Sequence, residues 1–369
     1  MSKIAFFMPS FAGGGAERVA LTLAAAFSSL GHQVDFVVTS FEGDLISFVP
    51  PTCKIVDLHA HRMIASIPGL GKYLRVDQPD ALIAVPDMAN LIAIWGKILA
   101  GSPVRLLIGN HIQLSMLTRT SPKLQEKLYP YLLRLFYRFA DSIVAISQGA
   151  AEDFRRVTGI PADRISVIYN SFPVQQILQS SQQEVKHSWY AQGEPPVILA
   201  AGRLSIQKDY PTLLRAFALV RKRREVRLIF LGQGDQYPRL NALARQLGIA
   251  MDTAFLGFVI NPFAYMARSS VFVLSSIFEG FGNVLVEAMA CGTQVVSTDC
   301  PSGPREILDN GRFGRLSPPS DPEMLATAIE AALDDPLPVD LLWKRANDFS
   351  VEKAAKAYLK VLGMTGDDH

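Results

Sequence analysis

A chain of 369 residues, 49% hydrophobic and 19% charged, is long enough for two domains, each with a buried core. A net charge of +2 argues against a strongly electrostatic nucleic-acid binder, which would carry a basic face. The three cysteines, Cys53, Cys291 and Cys300, form no CxxC pair, so neither a disulfide framework nor a zinc site is expected and a reducing compartment fits best.

In chain order, Ile4–Met8 predicts a strand and Ala16–Leu30 a helix. The apolar run before Pro9 is too short for a signal-peptide core, and no run reaches the ~18–20 residues of a membrane-spanning helix. The expectation is a cytoplasmic protein, with peripheral membrane contact open. Gln33–Thr39, Lys54–Leu58, Ala81–Val85, Val104–Ile108, Ile143–Ser147 and Ile165–Tyr169 predict further strands. Helical patterns such as Leu124–Ala140 and Gln148–Val157 lie between them. Residues 171–196, rich in Gln, Ser and Pro, read as a linker. Strands resume at Val197–Ala201 and continue through Arg227–Leu231, Thr253–Leu256, Val271–Ser275, Gln294–Thr298 and a short run near Arg315–Leu316. Helices are expected at Tyr210–Arg221, with Asp209 as N-cap and Pro211 in the first turn, and at Tyr237–Leu247 and Asn283–Ala290.

Strands alternating with helices predict βαβ units and parallel sheets. The fold class is therefore α/β, with two Rossmann-like domains at 1–170 and 197–349 facing across a cleft. A final helix, 350–363, is expected to pack back on the first domain. Ligands of open α/β sheets bind outside the carboxyl ends of the strands, so the loops there are the places to look for chemistry.

Three stretches qualify. In FAGGGAERV, Gly13, Gly14 and Gly15 follow the first strand and precede a helix. They allow a tight turn and close backbone approach of an anion to the helix N-terminus, or simply a flexible turn. A dinucleotide fingerprint is missing: the spacing is not GxGxxG, and the second strand ends at Thr39–Ser40 with no acidic residue. In AGRLSIQKDY, Arg203 and Lys208 lie between a strand and a helix. They can bracket a diphosphate, or be two solvated cations. In SIFEGFGNVLVEAMACG, Gly280 and Gly282 disfavour helix, so Glu279 is placed on a loop and the helix starts near Asn283. Glu287, one turn in, suits the vicinal hydroxyls of a ribose, unless it is only a polar residue on an exposed helical face.

The segment EGFGNVLVE, two glutamates separated by seven residues, resembles the EX7E motif of retaining glycosyltransferases of the GT-B architecture, and of family 4 in particular. ACGTQVVSTDCPSGPREIL, GRLSIQKDY and GGGAERV are similar to other recurring segments of that family, in the right order. The resemblance implies a nucleotide-sugar donor held mainly by the second domain. It implies Arg203 and Lys208 on the diphosphate, Glu287 on the ribose, and Glu279 beside the transferred sugar. Phe281, Gly282, Asn283 and Val284 would contact sugar or phosphate through their backbone. Gly14 and Gly15 would approach the diphosphate, and the segments around Gly232 and Phe258 would flank the base. No bound metal or other cofactor is implied. His111, after the strand VRLLIGN, matches a histidine that reaches the transferred sugar in the family; a lone histidine there is by default structural. Asn110 before it departs from the Ser, Thr or Glu frequent in the family.

The implied mechanism is front-side attack by the acceptor hydroxyl, with Arg203, Lys208 and the helix N-terminus at Asn283 stabilising the leaving group. A covalent route would need two carboxylates ~5 Å apart across the anomeric carbon, and Glu279 and Glu287 do not make such a pair. The acceptor is expected to be a glycan or lipid-linked sugar in cell-surface polysaccharide synthesis. The segment SPKLQEKLYPYLLRLFYRFA mixes Lys123, Lys127, Arg134 and Arg138 with apolar residues. It can lie on an anionic membrane at the inner face, or be a packed helix with a basic outer face. A non-catalytic nucleotide-sugar-binding protein and a nucleotide-sugar epimerase of related architecture are the alternatives.

Overall fold

A computed structural model describes residues 1–12, 14–120 and 124–364. Gly13, Lys123 and His369 lie outside the described residues, as do the side chains of residues 117, 119, 120 and 124–126. The chain divides into two compact units, Met1–Ser171 with Val351–His369, and Phe172–Ser350.

The first unit contains β1 (Lys3–Met8), α1 (Gly15–Ser29), β2 (Gln33–Val38), β3 (Lys54–Asp57), α2 (Ile67–Val76), β4 (Ala81–Ala84) and α3 (Ala89–Ala100). There follow β5 (Arg105–Asn110), α4 (Leu114–Thr120), α5 (Leu124–Phe136), β6 (Ser142–Ala145), α6 (Gln148–Thr158) and β7 (Ile165–Val167). Among the described residues these strands form one seven-stranded sheet in the order β3-β2-β1-β4-β5-β6-β7. All its pairings are parallel, as the alternation predicts. The order reverses between β1 and β4, so the crevice of a doubly wound sheet opens at their carboxyl ends. The strands are apolar on both faces because helices cover both.

The second unit contains α7 (Val174–Ser181), β8 (Val197–Ala201), α8 (Tyr210–Arg221), β9 (Arg227–Leu231), α9 (Tyr237–Gln246), β10 (Thr253–Gly257) and α10 (Pro262–Met266). Then come β11 (Val271–Leu274), α11 (Asn283–Ala290), β12 (Gln294–Thr298), α12 (Pro304–Ile307), β13 (Arg315–Ser317), α13 (Pro322–Asp334) and α14 (Val339–Asn347). Its six-stranded sheet runs β10-β9-β8-β11-β12-β13 and is again parallel. Here the order reverses between β8 and β11.

The last helix, α15 (Val351–Val361), lies in the first unit. Ala354, Ala355, Tyr358, Leu359 and Leu362 join the core under β1 and α1. Burying Leu359 and Leu362 contributes roughly 1.5–3 kcal/mol each. Arg105 donates from Nη1 to the carbonyls of Leu362 and Gly363, filling acceptors that the helix end leaves open.

Three local readings need correction. Residues 171–196 are not a bare linker: α7 lies within them and belongs to the second unit. Val174, Ile177 and Ser181 give it a buried face, and the carbonyls at its end receive Asn261 Nδ2 (2.8 Å, Ser180) and Arg268 Nη1 (3.0 Å, Ser181). Those partners are some 80 residues away, so no local signal revealed them. Asp209 does not cap α8 through its side chain; it sits at φ 42°, and its Oδ2 accepts from Thr212 and Ser320 hydroxyls at 2.7 and 3.1 Å. The helical pattern read to Ala140 ends at Phe136 and tightens into a 3₁₀ turn, Tyr137–Phe139.

Candidate active site

In the second unit the chemistry gathers at the carboxyl ends of β8 and β11, at the reversal point of the sheet. Lys208 follows β8 and Glu279 follows β11. Lys208 Nζ lies 2.6 Å from Glu279 Oε1. The same oxygen accepts from Ser276 Oγ at 2.6 Å. Both side chains are largely buried. Lys208 is therefore engaged by a carboxylate, not a solvated surface cation. Removing one partner of a buried pair leaves the other charge uncompensated, at a cost of ~3–5 kcal/mol.

The loops that carry the pair are fixed by backbone. Ile277 N donates to Gln207 O (2.9 Å), Gln207 Nε2 to Phe278 O (3.0 Å), and Ser275 Oγ to Lys208 O (2.7 Å). Arg203, by contrast, is exposed, and no ion-pair partner faces it among the described residues.

α11 begins at Asn283 after Gly282, as the glycine pattern predicts. Asn283, Val284 and Glu287 are half-buried on its first turns, and Phe281 is buried. The Phe281 ring stacks on Phe172 (6.3 Å) and meets Phe349 edge-on (5.5 Å). Gly303 has φ 93°, and a Cβ there would lie 1.7 Å from the Phe281 carbonyl oxygen. Only glycine permits that approach. Gly232, at φ 130°, lies equally tight against Gly202: a Cβ would stand 2.0 Å from the Gly202 carbonyl oxygen. Gly232 N also donates to Gly257 O at 2.6 Å. The ends of β8, β9 and β10 thus share one rim, and Phe258 stands beside it, 66% exposed.

In the first unit, Gly14 precedes α1 with ordinary extended backbone, φ −148°. Its conformation does not require glycine; the missing side chain leaves room for the Glu17 carboxylate, 2.4 Å from where a Cβ would be. Gly15 is the first residue of α1. Ala16, Val19, Ala20, Gly109, His111 and Tyr358 line one small apolar pocket, so the structure brings the start of α1 and His111 together.

His111 is held by groups that the sequence reading missed. Asp87, in the turn after β4, is buried, and both its carboxylate oxygens accept from His111 N at 3.1 Å. Asn110 Nδ2 donates to Asp87 Oδ1 and to Ile112 O, each at 3.0 Å. This is what Asn110, the departure from the family pattern, does. Asn90, at the start of α3, clasps the Gly109 peptide: its Nδ2 donates to Gly109 O (2.7 Å) and its Oδ1 accepts from Gly109 N (3.2 Å). Tyr129 on α5 donates to Asp87 O at 2.5 Å. Burial pushes the Asp87 carboxyl up to about 7, against the lowering by the uncharged His111 and Asn110 donors. Burial lowers His111 to about 4, so its imidazole is neutral at physiological pH. The available signal was a carboxylate and an amide, Asp87 and Asn90, inside the apolar run Ala81–Trp95.

The cysteines are free thiols. Burial raises Cys291 and Cys300 to about 12, so neither is a thiolate at neutral pH. No described helix is long and apolar enough to cross a membrane.

Comparison with known proteins places these features. The family model for glycosyl transferases group 1 matches residues 181–354, and that for glycosyltransferase family 4 matches residues 13–176. A Campylobacter jejuni protein, N-acetylgalactosamine-N,N'-diacetylbacillosaminyl-diphospho-undecaprenol 4-alpha-N-acetylgalactosaminyltransferase, is 30% identical over 98% of this chain and 97% of its own. The chain belongs to the glycosyltransferases. A lipopolysaccharide core biosynthesis glycosyltransferase of Rhizobium meliloti is 32% identical to the transferase over 64% of this chain and 68% of its own. Among solved structures, Anabaena HepE in complex with UDP-glucose superposes with a TM-score of 0.81 at 22% identity, over 99% of this chain and 100% of HepE. A lipopolysaccharide outer core galactosyltransferase, WaaB, superposes with a TM-score of 0.75 at 23% identity, over 98% of this chain and 99% of WaaB. The two parallel-sheet units of the transferase are those of the GT-B fold.

Proposed function

We propose that the transferase moves a sugar, with retention of configuration, from a nucleotide-sugar donor to a lipid-linked or glycan acceptor in cell-surface polysaccharide synthesis. The Lys208–Glu279 pair at the end of β8 and β11 carries this reading. In this reading Lys208 and Arg203 neutralise the leaving diphosphate, assisted by the N-terminus of α11. Glu279 lies by the transferred sugar, Glu287 binds the ribose, and His111 hydrogen-bonds the sugar. The backbone at Phe281, Gly282, Asn283 and Val284 contacts sugar or phosphate, Gly14 and Gly15 approach the diphosphate, and the loops at Gly232 and Phe258 flank the base. Glu279 Oε1 already accepts from Lys208 and Ser276, which makes it a poor nucleophile and favours front-side attack over a covalent intermediate. The cationic groups supply the charge stabilisation that a metal would otherwise give, so turnover is expected to persist in chelator.

The acceptor assignment draws on the C. jejuni relative, whose name specifies an undecaprenol-linked acceptor. Such an acceptor lies in a membrane, and α5 offers a surface for one. Leu128, Tyr131 and Leu135, spaced for one helical face, are exposed, and Phe139 continues the stripe. Lys127, Arg134 and Arg138 are exposed beside it, while Tyr129 and Leu133 face the core. An apolar stripe edged with cations suits the inner face of an anionic membrane.

The test is incubation with a panel of UDP-, GDP- and ADP-sugars plus a lipid-diphosphate acceptor, with and without EDTA. Released nucleotide is read by mass spectrometry and the product anomer by NMR. An inverted anomer overturns the retaining mechanism, and loss of turnover in EDTA overturns metal independence. Sedimentation with phosphatidylglycerol vesicles tests the membrane surface. Binding at low salt, lost in a Tyr131→Ser, Leu135→Ser variant, is expected; full recovery in the supernatant contradicts it.

A further inference from the structure

Asp87 is a buried carboxylate with no cation beside it among the described residues, and burying a charge in that way is costly. The donors that meet it restrain one short stretch of chain. His111 N is held by both Asp87 oxygens, and Asn110 by Oδ1 alone. Two residues upstream, Asn90 fixes both polar groups of the Gly109 peptide. Tyr129 ties the Asp87 carbonyl to α5 and also accepts from Asn90 Nδ2 at 3.0 Å, which joins the two clasps. The His111 ring then lies against Gly109, where a Cβ would come within 2.5 Å of Nε2. His111 Nδ1 is buried without a hydrogen-bond partner. Among the described residues no side-chain hydrogen bond orients the ring, so its direction is set by the backbone beneath it and by the space over Gly109.

We infer that Asp87 is a positioning residue for sugar transfer: with Asn90, Asn110 and Tyr129 it fixes the 109–111 backbone and thereby aims the His111 imidazole. The inference rests on the reading of His111 as a group that contacts the transferred sugar. A displacement of about 1 Å at such a group can cost a hundredfold in rate. Asp87→Asn keeps the shape but turns one acceptor into a donor facing the donors of His111 and Asn110.

The test is a double-mutant cycle between positions 87 and 111. Asp87→Asn alone is expected to lower kcat by about a hundredfold, with donor KM little changed. In a His111→Ala background the same change is expected to alter kcat by less than about twofold, because the group it aims is gone. Tyr129→Phe, a milder removal of one bond, should show the same dependence on His111. Adding Asn110→Asp to Asp87→Asn restores a complementary donor and acceptor and should recover part of the rate. Independent, multiplicative losses in the cycle overturn the proposal. If His111→Ala itself leaves kcat unchanged while transfer proceeds, the reading of His111 fails, and the proposal with it. A readout free of turnover separates the proposal from the function: in histidine-labelled protein, the His111 ring signals, identified by their loss in His111→Gln, should shift in Asp87→Asn. Unmoved signals in a folded variant overturn it whether or not a substrate has been found.

Discussion

The two units bury a carboxylate at the same place in their sheets and stabilise it by different means. Glu279, after β11, has a lysine at 2.6 Å and a serine hydroxyl. Asp87, after β4, is met among the described residues by a backbone amide and a side-chain amide. The first carboxylate meets an opposite charge; at the second, burial pushes the carboxyl up to about 7. In the proposed mechanism the ion pair can exchange partners with a substrate anion, whereas a clasp of amides holds backbone. One arrangement suits charge that comes and goes, the other suits fixed geometry.

The largest effect should come from breaking the charged arrangement. Lys208→Ala is expected to lower turnover by roughly a hundred- to a thousandfold, measured as initial rate at saturating donor. Near-normal turnover would remove charge stabilisation from the mechanism. Next is stability. Glu279→Ala leaves Lys208 buried and unpaired, and should cost about 3–5 kcal/mol in denaturant unfolding of the second unit. A Lys208→Met, Glu279→Leu double variant should recover most of that while remaining inactive. A double variant no more stable than Glu279→Ala would mean that the pair is not the source of the loss.

The clasp around Asp87 should respond more gently to a change that leaves its own members in place. Gly109→Ala forces a methyl into the His111 ring and is expected to lower kcat about tenfold without changing donor affinity. The smallest effect is on pH. Asp87 is faced by Tyr129, which burial raises well above its usual value, and by His111, lowered to about 4. Neither titrates near neutrality. The Asp87 folded value, about 7, lies above the unfolded carboxylate value, so its contribution to stability is full below that unfolded value and fades as pH rises through about 7. Melting temperatures at pH 5.5 and 8.5 should show wild type losing ground relative to Asp87→Asn at the higher pH. An equal difference at both would place the titration elsewhere.

The same contrast explains what was legible in the sequence. Glu279 and Glu287 announce themselves because two glycines force a loop and then a helix start within one short segment. Arg203 and Lys208 are visible for a similar reason. The alternation of runs gave both parallel sheets, since strands covered on two faces must be apolar throughout. The clasp around His111 was hard to see because its members come from three places, Asp87 with Asn90 after β4, Asn110 at the end of β5 and Tyr129 on α5, which the fold brings together. Each alone is an ordinary polar residue. The partnering of Lys208 with Glu279 was equally hidden, for they are 71 residues apart. α7 was missed because the groups that meet its end, Asn261 and Arg268, flank α10.

The contact of Gly303 with the Phe281 carbonyl has a practical side. The loop after β11 is moulded against the turn that leads into α12, with no room for even a methyl group between them. Anyone testing the proposed donor-binding role of this loop by grafting between relatives should treat 276–304 as one cassette. A transplanted EGFG segment alone would meet a foreign mould, and the chimaera would inherit the letters of the motif without its shape.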